Sequence, residues 1–187
     1  MDIRIKEIKD LLLNGGIILY PTDTVWGIGC DARNEQAIER IFKLKNRPDS
    51  KSLVTLVRNE VAVEQIAPDA PEVTFELWEN SNKPMTIILD DVKQIHPKAK
   101  AEDGSAAIRI AKHPFLNRLF EQFRFPLIST SANVSGAPTP RNFNEISAPI
   151  KEGVDWICPN LPEFKGTELP SSILKLGNNG DISIIRK

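Results

Sequence analysis

The chain has 187 residues, 41% of them hydrophobic and 26% charged, with a formal net charge of −1. That length carries one full hydrophobic core, and the balance excludes a disordered tail, a collagen-like chain and a coiled-coil rod. With no global field to draw nucleic acid or an acidic membrane, affinity for anions has to come from local clustering. Ile5, Ile8 and Leu12 recur at helical spacing, and Asn14-Gly15-Gly16 stops that helix. Ile17 to Tyr20 reads as a short buried strand, broken by Pro21-Thr22-Asp23-Thr24, and Val25 to Cys30 resumes extended structure. Asn34 caps a helix whose face is Ala37, Ile38, Ile41 and Phe42 and which ends near Pro48. Leu53 to Val57 is a strand, 60–66 and 71–80 are helical, and Met85 to Leu89, Ala106 to Ile110 and Pro126 to Ser129 are strands. Phe115, Leu116, Leu119, Phe120 and Phe123 make an amphipathic helix between the last two. A helical stretch around 142–151 precedes strands at 154–158, 171–176 and 182–186, the last two joined by a hairpin turn at Asn178-Asn179-Gly180-Asp181. Strands and helices mix without strict alternation, which predicts an α/β or α+β class with an open, twisted mixed sheet, in one domain over 1–187.

Cys30 and Cys158 are too few for a disulfide framework, and with His96 and His113 they match no metal spacing. The apolar runs are too short to cross a membrane, and the N-terminus alternates charged and apolar residues without a signal core. Cytoplasm is the expected compartment, with no membrane partner.

Four segments have the residue types for binding chemistry. Pro21-Thr22-Asp23-Thr24 follows a buried strand, where ligands bind at a sheet's carboxyl edge; the same residues also make ordinary turns. Lys45 lies at i+4 from Ile41 and i+7 from Ile38, so it projects from the helix's buried stripe. Complementing the helix dipole explains an exposed lysine there, not an inward one. Residues 43–58 hold Lys43, Lys45, Arg47, Lys51 and Arg58 against Asp49, a local excess that suits a phosphate-bearing ligand or a solvated basic face. Ser129-Thr130-Ser131-Ala132-Asn133-Val134-Ser135-Gly136 gathers hydroxyls and an amide at a strand end, as phosphate or carboxylate recognition and helix caps both do. Arg109 lies in an apolar strand and by alternation shares a face with Ala107. Gly27-Ile28-Gly29-Cys30-Asp31-Ala32 fits the dinucleotide fingerprint, but its first glycine sits inside an apolar segment, not just after a strand. There is no phosphate loop of the G-x-x-x-x-G-K-[ST] type and no G-x-S-x-G elbow.

Taken together, Pro21 to Ala32, Lys45-Asn46-Arg47-Pro48, Ala107-Ile108-Arg109 and Ser129 to Gly136 resemble the YrdC/TsaC family, the threonylcarbamoyl-AMP synthases of tRNA modification. The resemblance runs from about residue 17 to the C-terminus and fits the short, single-domain form. It implies an open mixed sheet around a positively charged concave site. The implied reaction turns L-threonine, bicarbonate and ATP, with Mg2+, into threonylcarbamoyl-AMP and pyrophosphate. A second enzyme complex then modifies adenosine 37 of tRNA. By the same resemblance Thr22, Thr24, Arg109 and Ser129 hold threonine. Arg47, Lys51, Ser105, Ser131, Asn133, Thr139 and Arg186 line the nucleotide, and Lys45 and Arg47 carry catalysis. No dedicated protein ligand for a metal is implied.

Three positions depart from the family pattern. Asn82-Lys83-Pro84 stands for Pro-Gly-Pro, Ser171-Ser172 for Ser-Thr, and Leu56 for a threonine-contacting histidine of longer homologues. Leu56 is then either apolar surface for the threonine methyl or a core residue of its strand. The competing reading is a double-stranded RNA- or tRNA-binding factor without ATP turnover. Against it, the few aromatics fall mostly on apolar faces and build no base-stacking platform.

Overall fold

The computed structural model describes residues 4–46, 53–159, 166–177 and 181–187. Helix α1 (Ile5–Leu13) turns Ile5, Ile8 and Leu12 inward. It ends where Gly15, at φ +80°, and Gly16 return their N–H groups to Leu12 O and Leu11 O. Strands β1 (Ile18–Tyr20) and β2 (Gly27–Asp31) flank the 21–26 loop. Helix α2 (Glu35–Lys45) starts at Asn34, whose side chain accepts from Ala37 N, and ends at Asn46 in the left-handed region. There follow β3 (Val54–Val57), α3 (Glu60–Ile66), α4 (Val73–Asn80), β4 (Met85–Leu89), β5 (Ala106–Ile110) and α5 (Pro114–Gln122). The chain closes with β6 (Leu127–Ser131), α6 (Ala148–Glu152), β7 (Trp156–Ile157), β8 (Ser172–Leu176) and β9 (Ile182–Arg186).

The nine strands of the described residues join one open sheet in the order β7-β1-β2-β6-β3-β5-β4-β8-β9. Three pairs are parallel, β1/β7, β3/β5 and β4/β8, and the other five are antiparallel. The mixed sheet expected from the sequence is therefore what forms. Its two faces differ in side-chain size, because register places neighbours across strands on the same side. One face carries Ile28, Cys30, Ile128, Ile108 and Ile87, all fully buried. The other carries Gly27, Ser129, Ser131, Val54 and Ala107. Small residues on that face leave a hollow above the middle of the sheet.

Element types follow the sequence reading closely, and the differences have local causes. Strand β6 runs on to Ser131, since Thr130 and Ser131 pair with Ile28 and Gly27 instead of turning. The stretch 142–151 is not one helix. Asn142 caps a 3-10 turn at Phe143–Glu145, and Pro149, confined to a helix's first turn, starts α6 afresh. The strand expected at 154–158 pairs only over Trp156–Ile157. A further 3-10 turn, Pro97–Ala99, is capped by His96. Residues 178–180 of the expected hairpin turn lie outside the described residues, but β8 and β9 pair antiparallel as expected.

Gly27 and Gly29 belong to a wholly buried central strand, not to a phosphate-binding turn. A Cβ at Gly29 would run into Ile128 O, and one at Gly27 would lie 3.1 Å from Ser129 Oγ. Their glycines serve close strand packing and the hollow, which accounts for the fingerprint match.

Candidate active site

Above the small-residue face lies a cavity of about 340 Å³, at the small end of the range for small-molecule sites. Its wall includes Thr22, Thr24, Arg109 and Ser129 at one end, and Ser131, Thr139, Ser171 and Arg186 elsewhere. Residues far apart in the chain thus meet in one hollow. The basic residues Arg47 and Lys51 fall outside the described residues.

At the first end the polar atoms hold one another. The Thr22 hydroxyl donates to Val25 O at 2.8 Å and accepts from Thr24 N at 3.0 Å. Its proton being committed, it must accept from the Thr24 hydroxyl, 2.8 Å away. Thr24 Oγ1 in turn accepts from Arg109 Nη1 at 3.0 Å. Thr22 is therefore saturated, while Thr24 keeps one lone pair and can only accept from a ligand. Arg109 is 5% exposed. Burial lowers its pKa from the ordinary arginine value and the Asp23 charge counteracts that, so the guanidinium stays protonated at neutral pH. Its Nη2 is 3.2 Å from Asp23 Oδ1, and its Nε has no hydrogen-bond partner among the described residues.

A strap formed by residues 166–168 fixes this end from outside. Thr167 N donates to Asp23 O and Glu168 N to Thr24 O. At Gly166 an added Cβ would strike the carbonyl oxygens of Thr22 and Thr24, so only glycine permits the approach. Three residues further on, Pro170 and Ser171 enter the cavity wall.

The other end is looser. The Ser131 hydroxyl donates to Asn133 Oδ1 at 2.6 Å, and Asn133 Nδ2 donates to Ala137 O, holding the 131–137 loop closed. Lys45 is buried, as its place on the apolar stripe predicts. Its ammonium donates to Ser131 O and Asn133 O at 2.5 Å each, and Lys45 O accepts from Ser135 N. Lys45 and Asn133 thus shape the loop beside the cavity but do not line it. Arg186 donates through Nε to Ser171 O at 2.9 Å, and Ser171 Oγ lies 2.8 Å from Thr86 Oγ1. Desolvation and the charge of Arg109 both lower the Arg186 pKa, so two cations face the same hollow.

Ser105 stands apart from the cavity. Its hydroxyl donates to Asp103 Oδ1 at 2.6 Å in the turn before β5. That bond and Lys175 hold the Asp103 carboxyl below the usual carboxylate range. Leu56 is wholly buried beside Arg109 and Leu127 and does not line the cavity, which places it in the core. The Asp23 ion pair and the strap each join residues far apart in the chain, so no periodicity marks them. A glycine followed by a hydroxyl residue before Pro170-Ser171 is the only local cue to the strap.

An open mixed sheet with a hydroxyl-rich, doubly cationic hollow on its small-residue face defines the class of fold to which the chain belongs. A family model described as "Telomere recombination" and covering the Sua5, YciO and YrdC proteins matches residues 10–187, and the chain belongs to that family. A Photobacterium profundum protein named threonylcarbamoyl-AMP synthase is 31% identical over 175 residues, spanning 90% of this chain and 92% of its own. A Marinobacter nauticus protein of the same name is 32% identical over 170 residues, spanning 90% and 88%. Among solved structures, P. abyssi Sua5 complexed with L-threonine superposes with a TM-score of 0.80 at 25% identity. That alignment spans 92% of this chain but only 50% of the Sua5 chain, so this chain corresponds to about half of that protein. E. coli YciO shares the fold, with a TM-score of 0.80 at 24% identity over 98% of this chain and 88% of its own. Among the described residues no helix is long and apolar enough to cross a membrane.

Proposed function

We propose that this chain is an enzyme that forms threonylcarbamoyl-AMP and pyrophosphate from L-threonine, bicarbonate or CO2, and ATP, a nucleotidyl transfer. The observation that carries the reading is Arg109, buried at the cavity wall with Thr24 on one Nη. A guanidinium matches a carboxylate, and the free lone pair of Thr24 accepts from an amine, so one α-amino acid is held at both of its charged groups. Ser129 adds a hydroxyl to the same end.

The amine and bicarbonate or CO2 give a carbamate. A carbamate oxygen then attacks the α-phosphorus of ATP, the bond to the bridging oxygen breaks, and pyrophosphate leaves with that electron pair. No side-chain nucleophile is needed, and catalysis reduces to placement and stabilisation of phosphate charge. Arg186, Ser131 and Thr139 supply a cation and hydroxyls for the nucleotide, and Lys45 with Asn133 fixes the loop that carries Ser131. Arg47 and Lys51 join the nucleotide site in this reading, with Arg47 acting beside Lys45. Hydroxyls and guanidiniums suit phosphate oxygens better than a cation, and the described residues contain no cluster of three His, Cys, Asp or Glu. Mg2+ would be held mainly by the phosphates, whose charge it would neutralise. The product is an activated carbamoyl group, and its acceptor is tRNA through a separate transfer complex.

The test is release of pyrophosphate from ATP by the purified chain. Release that requires both threonine and bicarbonate supports the reading. RNA binding that weakens steeply with salt, without such turnover, overturns it.

A further inference from the structure

We infer that Asp23 is a specificity-determining residue, which pairs with Arg109 to make the amino-acid end of the cavity select zwitterions over plain anions. The inference rests on the amino-acid reading of that end. Asp23 does not line the main cavity; it reaches Arg109 from a neighbouring hollow of about 220 Å³. Its Oδ1 is 3.2 Å from Arg109 Nη2, with side chains 12% and 6% exposed. Lys83 and Lys112 line that second hollow, yet among the described residues neither forms an ion pair with Asp23. The backbone of Asp23 is held by Thr167 N, which fixes the point from which its side chain projects.

The pair is close but poorly aligned: among the described residues neither Asp23 Oδ1 nor Arg109 Nε has a hydrogen-bond partner. A structural ion pair would use the guanidinium fork fully. Here the charge is balanced while donors stay available. Arg109 and Asp23 together carry no net charge, and being buried they are weakly screened. A ligand carboxylate is attracted to the guanidinium and repelled by Asp23. A ligand ammonium beside Thr24 recovers that loss. A zwitterion therefore gains at both groups, whereas a 2-deamino analogue meets the repulsion without the compensation. The Arg186 end, where no carboxylate of the described residues pairs with the guanidinium, keeps its positive charge for phosphates.

The experiment compares dissociation constants of three probes at about pH 6, where an α-amino group is protonated. The probes are L-threonine, threoninamide (a cation) and 3-hydroxybutyrate (an anion), measured by calorimetry on the wild type and on Asp23→Asn. In the wild type threonine binds at least about tenfold more tightly than either analogue. In Asp23→Asn the anion gains about tenfold, the cation loses about tenfold and threonine moves little. A purely structural role weakens all three together, and that outcome overturns the proposal. If Asp23→Asn fails to fold, the wild-type series still decides, because an anion bound as tightly as threonine also overturns it. A wild type that binds no threonine at all refutes the amino-acid reading itself, and that result is distinct from the other two.

Discussion

At the Thr22–Asp23–Thr24 end of the cavity the Thr22 hydroxyl is fully engaged, Arg109 is buried between a hydroxyl and a carboxylate, and a glycine strap clamps the backbone. At the Arg186 end the cation sits on an edge strand whose residues Ile182, Ile184 and Ile185 are exposed, and a closed loop presents single hydroxyls. The difference matches what each end is asked to bind. A small ligand with two charged groups a few ångströms apart is recognised by fixed contacts, and prior ordering limits the entropy lost on binding. A long, flexible, multiply charged ligand needs positive potential along its length more than fixed geometry. The rigid end should therefore lose affinity when its geometry is altered, and the looser end should lose turnover.

The largest effect is expected from breaking the looser end at the buried lysine that supports its loop. Lys45→Ala removes the side-chain donor from Asn133 O and one of the two donors of Ser131 O, which keeps Asn133 N, at about 1–3 kcal/mol where a buried carbonyl is left unsatisfied. Turnover should fall on the order of 10²-fold as the hydroxyls lose their place around the phosphates. Threonine affinity, measured separately, should stay within about twofold, since the Lys45 ammonium holds the 131–133 backbone and not the Thr24–Arg109 pair. A turnover number unchanged in this variant removes Lys45 from the phosphate end.

Arg109→Lys tests the rigid end with a smaller change. Charge is kept and the planar fork is lost. Hydrogen bonds to charged groups contribute about 1.5–3 kcal/mol, so the Michaelis constant for threonine should rise on the order of 10- to 100-fold. The constant for ATP should remain near the wild-type value. Equal rises for both substrates would mean that the two ends are not separate and would dissolve the contrast drawn above.

Leu56 sharpens the comparison by standing next to it. It pairs with Arg109 across β3 and β5 on the same sheet face, yet it is wholly buried and outside the cavity wall. Leu56→Ala should lower stability by about 2–5 kcal/mol, read by denaturant unfolding. The ratio of threonine to serine turnover should not move. A narrowed ratio would bring the apolar side chain into the pocket after all.

What could be read from the chain alone divides along similar lines. The helix of Ile38, Ile41 and Phe42, the inward Lys45 and the shared face of Ala107 and Arg109 follow from periodicity, which burial alone enforces. The site residues that sit on those patterns were legible with them. The Asp23–Arg109 pair joins residues 86 positions apart in the chain, and the strap reaches the 22–24 loop from residues 166–168, so no local pattern encodes either. Ser105 misled because its residue type suits both a phosphate contact and an Asx turn, and Asp103 two residues earlier decides for the turn. Strand β6 ran further than its turn-forming residues suggested because Gly27 and Ile28 were waiting to pair with them.

The smallest effect at neutral pH is expected at His113, which lies between the strand bearing Arg109 and helix α5. Its Nδ1 accepts from Phe115 N, capping α5, and this requires the imidazole unprotonated on that nitrogen. Burial pulls its pKa down to about 4 from the ordinary 6.5, while the nearby Asp23 charge pulls the other way. Above pH 6.5 both folded and unfolded forms are neutral there, and the full contribution to stability is present. As pH falls from 6.5 toward 4 the unfolded chain binds a proton that the folded chain refuses, and stability drops by roughly 3 kcal/mol across that window. Asparagine keeps a cap acceptor without the titration. His113→Asn shrinks a buried side chain and should be less stable than the wild type by about 1 kcal/mol at pH 7, with threonine affinity unaltered. Between pH 6.5 and 4 its stability should fall with a slope shallower by about one proton, so that it overtakes the wild type in acid. Parallel pH profiles for the two proteins would mean that His113 accepts its proton in the folded state near the ordinary value, with Asp23 close enough to hold the imidazolium.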